Sequence, residues 1–181
     1  MALKPTIYKF EIHLSDLDQN YYDTLNLTVA QHPSESVERM MARVLAFCLN
    51  ASDKLTFTKG VSATDEPDIW LHSLDGQLEL WIDIGEPTFD RIKKATRVAN
   101  AVKIYSINTK SAIWWDQIES QLQTFDLDVY KMQWNEIEAL ATLMTRTNTL
   151  SVSISDSDLF VTKDADNITV TCQQLTSKPQ T

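Results

Sequence analysis

The stretch DIWLHSLDGQLELWID, residues 68–83, decides the fold, because it contains two short strand-like segments around an Asp-Gly turn. Asp75-Gly76 is a strong hairpin signal, since the tightest hairpin turns need positive φ angles at their central residues. We therefore predict a two-residue loop. Side chains alternate along a strand, so one face of the hairpin would carry three pairs: Asp68 with Asp83, Trp70 with Trp81, and His72 with Glu79.

The opposite face of this hairpin is apolar and predicts core packing, with Ile69 facing Ile82. The polar face raises a question, because Asp68 and Asp83 would be directly opposed. Opposed side chains have Cβ atoms about 4.5–5.5 Å apart, and like charges at that separation destabilise a sheet. One carboxylate could hold a proton, a divalent cation could lie between them, or both could lie at a solvent-exposed strand end.

The chain as a whole has the composition of a globular domain. Its 181 residues can bury one sizeable core, and it contains only 3 glycines and 5 prolines. We predict one domain over residues 1–174 and a flexible polar tail over residues 175–181. The net charge of −9 opposes tight nonspecific nucleic-acid binding, which requires neutralised phosphates. A local basic patch could still bind nucleic acid weakly: Arg91, Lys93, Lys94, Arg97 and Lys103.

Three features of the sequence favour a cytoplasmic protein that does not enter a membrane. No apolar run approaches the roughly 20 residues that span a bilayer. The first residues, MALKPTIYKFEIHL, lack a signal-peptide core and cleavage site. Cys48 and Cys172 have no metal-binding spacing, so we expect reduced, buried thiols.

The order of predicted elements indicates an α/β fold with a mixed central sheet flanked by helices. The hairpin is followed by a helix that begins at Pro87 or Thr88, a buried strand over 101–107, a helix over 110–123, a strand over 126–134 and a helix over 135–146. An earlier helix carries an apolar stripe, with Ser34 as its predicted N-cap. Alternating segments over 6–16 and 21–30 suit an antiparallel pair. Together with three short alternating segments, over 149–155, 158–163 and 167–173, they predict accessory β-strands at the sheet edge.

Three kinds of side chain near the hairpin suggest a metal-dependent hydrolytic site. Glu38 on the first helix, together with Asp68 and Asp83, supplies the hard oxygen ligands that bind Mg²⁺ or Mn²⁺. Lys94 or Lys93 on the next helix could position water or offset charge on a phosphoryl group. Simpler roles are open as well: Lys94 could form a surface ion pair, and Glu38 could favour the helix dipole. His72 with Glu79 could be a base and its orienting acid, or an exposed contact.

Several stretches of the chain resemble the YaeQ family. The resemblance lies in six pieces between Met1 and Trp115: MALKPTIYKFEIHLSDLD, HPSESVERMMARVLAF, TDEPDIW, WIDIGEP, RIKKA and AIWW. Their order and spacing agree with the family, and the later strands are compatible with it. The resemblance implies a core similar to restriction-endonuclease-like PD-(D/E)XK phosphodiesterases.

That resemblance implies roles for individual residues. Pro67-Asp68 matches the first motif piece, Asp83 matches the second acid, and Glu38 would be the helix glutamate that joins the metal site. The expected lysine position is Gly85, so the chain departs from the motif at a catalytic position. In some relatives of that superfamily the lysine lies on the following helix, which would be Lys94 here and Lys93 second.

The departure at Gly85 leaves two functional classes open. The chain could be a Mg²⁺- or Mn²⁺-dependent phosphodiesterase or nuclease with Lys94 in the displaced position. It could instead be a catalytically degenerate nuclease fold that binds protein partners or acts as a transcription-associated factor, which the family resemblance also suggests.

Overall fold

The structure is a computed structural model that describes residues 3–59 and 64–176. Most of the predicted tail, from residue 177 onward, lies outside the described residues. The described part contains four helices: α1 (Val37–Leu49), α2 (Phe89–Val98), α3 (Ser111–Leu122) and α4 (Trp134–Ala141). Its strands are β1 (Thr6–Asp16), β2 (Tyr21–Gln31), β3 (Leu55–Phe57), β4 (Ile69–His72), β5 (Leu78–Ile84), β6 (Ala101–Ser106), β7 (Asp128–Met132), β8 (Thr147–Ser155), β9 (Asp158–Lys163), β10 (Asp166–Val170) and β11 (Cys172–Gln174).

The predicted α/β class with a mixed central sheet is confirmed. The central sheet has the order β11-β7-β6-β5-β4-β3. Its middle strands β5, β6 and β7 are parallel, and α2 and α3 connect them, as parallel neighbours require a crossover connection. The outer neighbours β4 and β11 run antiparallel to β5 and β7.

The accessory strands form a separate five-stranded sheet, not an extension of the central sheet's edge. Its order is β10-β9-β8-β1-β2, with β1 and β8 parallel. Every residue from Met40 to Cys48 on α1 is buried, and a helix that is buried on all sides must have packing partners on all sides. Helix α1 shares one core cluster with residues of both sheets, such as Ile12 and Ile82.

The central hairpin keeps the predicted register from Ile69 to Leu71 but loses it near the turn. Strands β4 and β5 pair Ile69 with Ile82, Trp70 with Trp81, and Leu71 with Leu80, as predicted. The predicted pairing of His72 with Glu79 is wrong, because His72 pairs with Leu78. The N–H of Ser73 donates to Gln77 O at 2.9 Å, which makes a three-residue loop, and a bulge after Leu71 restores the register.

The starts of α1 and α2 follow from short polar side chains. Thr88, a predicted start of α2, is its N-cap, and its hydroxyl accepts from the N–H of Arg91. The predicted N-cap of α1 is wrong: Ser36 Oγ accepts the N–H of Arg39 at 3.1 Å, and the helix begins at Val37. Ser34 instead bonds to His32 Nδ1 at 2.7 Å. Within residues 3–59 and 64–176, no helix combines the length and apolar character needed to cross a membrane.

Both cysteines are free and buried, which gives a testable pH dependence. Burial raises the pKa of Cys48 and of Cys172 from 9.0 to about 12. The folded protein therefore holds thiol protons that the unfolded chain has released, so stability falls as the pH rises above about 9. We expect the free energy of unfolding, measured in urea between pH 8 and pH 11, to decline by up to about 1.4 kcal/mol per pH unit for each thiol.

The double variant Cys48→Ala/Cys172→Ala is the control for this pH dependence. It lacks both thiols, so its decline above pH 9 should be shallower than that of the unmodified protein, whatever its stability at pH 8. Equal slopes would show that the two thiols ionise as readily in the folded chain as in the unfolded chain.

Candidate functional site

The strand directions bring Asp68 and Asp83 to one edge of the central sheet. Asp83 lies near the carboxyl end of β5, and Asp68 directly precedes β4, which runs in the opposite direction. The N–H of Asp68 donates at 3.0 Å to the O atom of Ile82, which is the strand partner of Ile69. The carboxyl edge of parallel strands is where ligands of open α/β sheets bind. Both aspartates are therefore where a functional site of this fold class is expected.

Asp68 is buried and is neutralised by an arginine from α1. Its side chain is 6% exposed. Arg39 Nη2 donates to both carboxylate oxygens at 2.9 Å, and the N–H of Ile84 donates to Oδ2 at 2.8 Å. Burial raises the pKa of Asp68, whereas the charge of Arg39 and the N–H of Ile84 lower it and the charge of Asp83 raises it further. The charge of Asp83 thus acts on Asp68, and the charge of Arg39 opposes its effect.

Asp83 is neutralised by a second arginine, from α2. Arg91 Nε donates to Oδ2 at 2.9 Å, and Nη2 donates to Oδ1 at 3.0 Å, a two-point contact that suits a planar guanidinium. The same guanidinium donates to Thr64 O at 2.7 Å and to Glu66 O at 2.8 Å. Arg91 therefore ties Asp83 to the segment that precedes β4.

Helix α1 contributes a further buried ion pair behind Asp68. Glu35 accepts from Arg39 Nη1 at 2.7 Å, and from Arg43 Nε at 2.9 Å and Nη2 at 2.6 Å. The side chains of Arg43 and Glu35 are 2% and 1% exposed. We call these six residues the arginine–carboxylate network: Glu35, Arg39, Arg43, Asp68, Asp83 and Arg91. Its three arginines balance its three carboxylates, so a buried polar cluster carries no net formal charge.

The family model described as "YaeQ protein" matches residues 1–172 of the chain. This chain belongs to the YaeQ family. It is 40% identical to an uncharacterized YaeQ protein of Escherichia coli over 172 residues, which cover 94% of this chain and 95% of that protein. An uncharacterized YaeQ protein of Salmonella typhi is 40% identical over 182 residues, with 99% of each chain covered.

Two crystal structures of YaeQ proteins have the same fold as this chain. The YaeQ protein of Xanthomonas axonopodis pv. citri aligns with a TM-score of 0.92 and 34% identity, over 96% of this chain and 99% of that chain. The YaeQ protein of Pseudomonas syringae aligns with a TM-score of 0.91 and 32% identity, over 96% and 97%. The two-sheet arrangement is thus the architecture of the YaeQ family.

Lys94 pairs with an aspartate other than Asp68 and Asp83. Lys94 Nζ contacts Asp65 Oδ1 at 2.8 Å, and the two side chains are 54% and 86% exposed. Glu38 and Lys93 are half-buried on their helices. Among the described residues, no three His, Cys, Asp or Glu side chains are grouped as a metal ion would need. The metal and catalytic roles of Glu38, Asp68, Asp83, Lys93 and Lys94 stay predictions.

Gly85, which the resemblance predicts at the position of the motif lysine, has a backbone conformation that favours glycine. Its φ is +115°, a value that side-chain-bearing residues rarely adopt, although a Cβ there would meet nothing within 4 Å. Its N–H donates to Tyr105 O at 2.8 Å, which fixes this backbone against β6. Backbone conformation, rather than lack of space, therefore disfavours a lysine at this position.

The predicted basic patch is divided among separate contacts. Arg91 is bound to Asp83 and Lys94 to Asp65. Lys103 Nζ donates to Asn50 Oδ1 at 2.7 Å, on the face of the central sheet that packs towards the second sheet. These three residues therefore do not form one shared cationic surface. Weak or local binding of nucleic acid stays a prediction.

Sequence reasoning missed the arginines that define the network. One signal was available near the start of α1, because Arg39 and Arg43 are four residues apart on one side of the helix and Glu35 lies four residues before Arg39, just ahead of the N-cap Ser36. Arg43 also interrupts the apolar run between Met41 and Val44, and a charge in such a position needs a partner. The pairing of Arg91 with Asp83 has no comparable spacing signal.

Proposed function

We propose that the chain is a noncatalytic interaction protein built on a PD-(D/E)XK-like scaffold. The observation that carries the proposal is that guanidinium N–H groups of Arg39 and Arg91 lie within 3.0 Å of all four carboxylate oxygens of Asp68 and Asp83. A divalent ion bound by these oxygens would compete with both arginines for the carboxylate lone pairs and would lie beside two guanidinium charges. The donor set therefore suits an internal ion-pair network better than a resident Mg²⁺ or Mn²⁺ ion.

Charge favours protein partners over nucleic acid in this proposal. The chain has a net charge of −9, and the three arginines of the network are engaged by carboxylates. Phosphate binding depends on accessible cations that can release counterions. We propose protein partners, with transcription components as the class that the family resemblance suggests. Failure to co-purify with any transcription component would contradict that choice of partner.

A metal-dependent phosphodiesterase is the second candidate. The observation that favours it is the placement of Asp68 and Asp83 together at the carboxyl edge, behind arginines whose side chains are 23% and 30% exposed. In this reading the two aspartates would bind Mg²⁺ or Mn²⁺, Glu38 would complete the acidic cluster, and Lys94 or Lys93 would assist water or phosphate. Bound metal would supply Lewis-acid stabilisation of a phosphoryl group.

Calorimetric titration with millimolar Mg²⁺ and Mn²⁺ separates the two candidates. We expect the wild-type chain and Asp83→Asn to give the same heats, because Arg91 occupies the Asp83 carboxylate. We also expect no metal-dependent cleavage of DNA or RNA that Asp83→Asn abolishes. Binding and cleavage that both vanish in Asp83→Asn, and cleavage that vanishes in Lys94→Ala, would replace the interaction proposal with the enzymatic one.

A further inference from the structure

One edge of the five-stranded sheet is much longer than the other sheet edges. In the described part of the chain, four strands lie at a sheet edge: β2, β3, β10 and β11. Strand β2 has 11 residues, whereas β10 has 5 and β3 and β11 have 3 each. An edge strand presents unpaired N–H and C=O groups, and a short edge is one way in which proteins limit pairing with another chain. Three of these edges are limited in that way, and β2 is not.

The sequence of β2, YYDTLNLTVAQ, also lacks the other features that usually block an edge. It contains no proline and no lysine, and Asp23 is its single charged residue. Its residues pair with β1 in one unbroken register, so no bulge twists the strand away. Within residues 3–59 and 64–176, β1 is its only strand neighbour. Strand β2 is therefore suited to accept a further strand.

The backbone groups that a further strand would bind belong to alternate residues of β2. In an antiparallel pair, successive residues of a strand direct their N–H and C=O groups to opposite sides. The N–H of Thr24 donates to Asp23 Oδ1 at 2.8 Å, and Ala30 O accepts from Arg43 Nη2 at 3.0 Å. These side-chain contacts indicate that Thr24 and Ala30 face away from β1. The residues in phase with them face the same way: Tyr22, Asn26 and Thr28.

We infer that β2 pairs with β2 of a second copy of this chain, antiparallel and about a twofold axis at Asn26. Asn26 is the middle residue of β2, so this register pairs the strand along its whole length. The same surface is used twice, which closes the assembly as a dimer. Thr24 would lie opposite Thr28 of the partner subunit, and such Thr pairs stabilise a sheet. The two five-stranded sheets would become one continuous sheet.

Charge and apolar surface both favour a second copy in this direction. Asp23 would face Val29 of the partner subunit, so the two Asp23 carboxylates would lie at opposite ends of the interface. On the inner face, Leu25 is buried and Leu27 is half-buried against the core. Each would meet the other leucine of the partner subunit, so the two cores would join across the new strand pair. With one charged residue, β2 has no charge basis for selecting a charged peptide of another protein.

Sedimentation analysis of the full chain tests the dimer. Pairing along one edge buries less area than a standard protein interface, so the average mass should rise from monomer towards dimer between about 1 and about 300 μM. Asn26→Lys places two like charges opposite each other at the axis and should raise the dissociation constant by about tenfold or more. Thr169→Lys makes the same charge change at an exposed position of β10, on the opposite edge. It should change the dissociation constant by less than about twofold.

Asn26→Cys tests the register independently of affinity. Residues that exchange both hydrogen bonds in an antiparallel pair have Cα atoms about 5.5 Å apart, a separation that a disulfide can span. The two native cysteines are buried. We therefore expect mild oxidation to link Asn26→Cys chains into a dimer and to leave Thr169→Cys chains unlinked.

A wild-type chain that stays monomeric over this concentration range overturns the inference, and would leave the edge to an extended segment of another protein. A folded Asn26→Lys variant that dimerises like the wild type overturns it as well. So does a dimer in which Asn26→Cys forms no disulfide, because another surface would then hold the copies together. The metal titrations address the edge of the central sheet, so this inference and the proposed function can fail separately.

Discussion

Replacing Arg43 by methionine is expected to lower the free energy of unfolding by about 3–5 kcal/mol, the range for breaking a buried ion pair by removing one partner. Arg43 is 2% exposed and donates to both oxygens of Glu35 and to Ala30 O at 3.0 Å. Methionine fills much of the arginine volume, so the loss reports on charge and hydrogen bonds more than on a cavity. Urea unfolding at pH 7, followed by circular dichroism, gives the measurement.

Two further variants identify the cause of that loss. Arg97→Met removes an exposed arginine from the last turn of α2 and should change stability by less than about 0.5 kcal/mol. In the double variant Arg43→Met/Glu35→Gln the stranded carboxylate is replaced by a neutral amide, so its loss should be smaller than the sum of the two single losses. Additive losses would show that Arg43 acts through packing and not through Glu35.

Contacts between segments that are neighbours in the chain could be predicted from the sequence, because side-chain alternation and turn residues are local signals. The pairing of Ile69 with Ile82 follows from apolar positions on both sides of one turn. The three-residue loop and the compensating bulge could not be read in advance, because the same Asp-Gly signal fits more than one loop length. The predicted pairing of His72 with Glu79 is wrong for that reason.

The architecture beyond neighbouring elements depends on contacts that sequence periodicity does not specify. Alternation in β1 indicates that one face is buried, but it cannot identify the parallel neighbour β8, whose Thr147 pairs with Lys9. The candidate site likewise combines a local feature that the sequence indicates with a long-range contact that it does not. The edge position of Asp68 and Asp83 follows from the hairpin, whereas the contact of Arg39 with Asp68 spans 29 residues and depends on how α1 packs.

The arginine–carboxylate network explains how one edge of the sheet tolerates two buried aspartates. Each carboxylate receives its own guanidinium, one from the helix before the hairpin and one from the helix after it. Ion pairs of this kind contribute little net stability compared with apolar packing, but removal of one partner leaves a costly buried charge. The network therefore fixes the position of α1 and α2 relative to the strand edge. The loss of folding free energy on breaking an ion pair of the network should depend on whether the arginine or the carboxylate remains.

Replacing Arg91 by alanine is accordingly expected to destabilise the chain more than removing the charge of Asp83. Arg91→Ala leaves the Asp83 carboxylate, whose side chain is 5% exposed, without its two guanidinium bonds. The bonds to Thr64 O and Glu66 O are lost as well. We expect a loss of about 3 kcal/mol in urea unfolding, together with faster amide hydrogen exchange over residues 64–66.

Asp83→Asn is the matched comparison, because the amide oxygen can still accept from Arg91 and no buried charge is left behind. The Arg91 side chain is 30% exposed and can turn its charge towards water, so this loss should be nearer to about 1 kcal/mol. The double variant Arg91→Ala/Asp83→Asn should be more stable than Arg91→Ala alone, since it no longer contains the unpaired carboxylate. A double variant less stable than Arg91→Ala would mean that Arg91 supports this edge mainly through the carbonyls of Thr64 and Glu66, and not by neutralising Asp83.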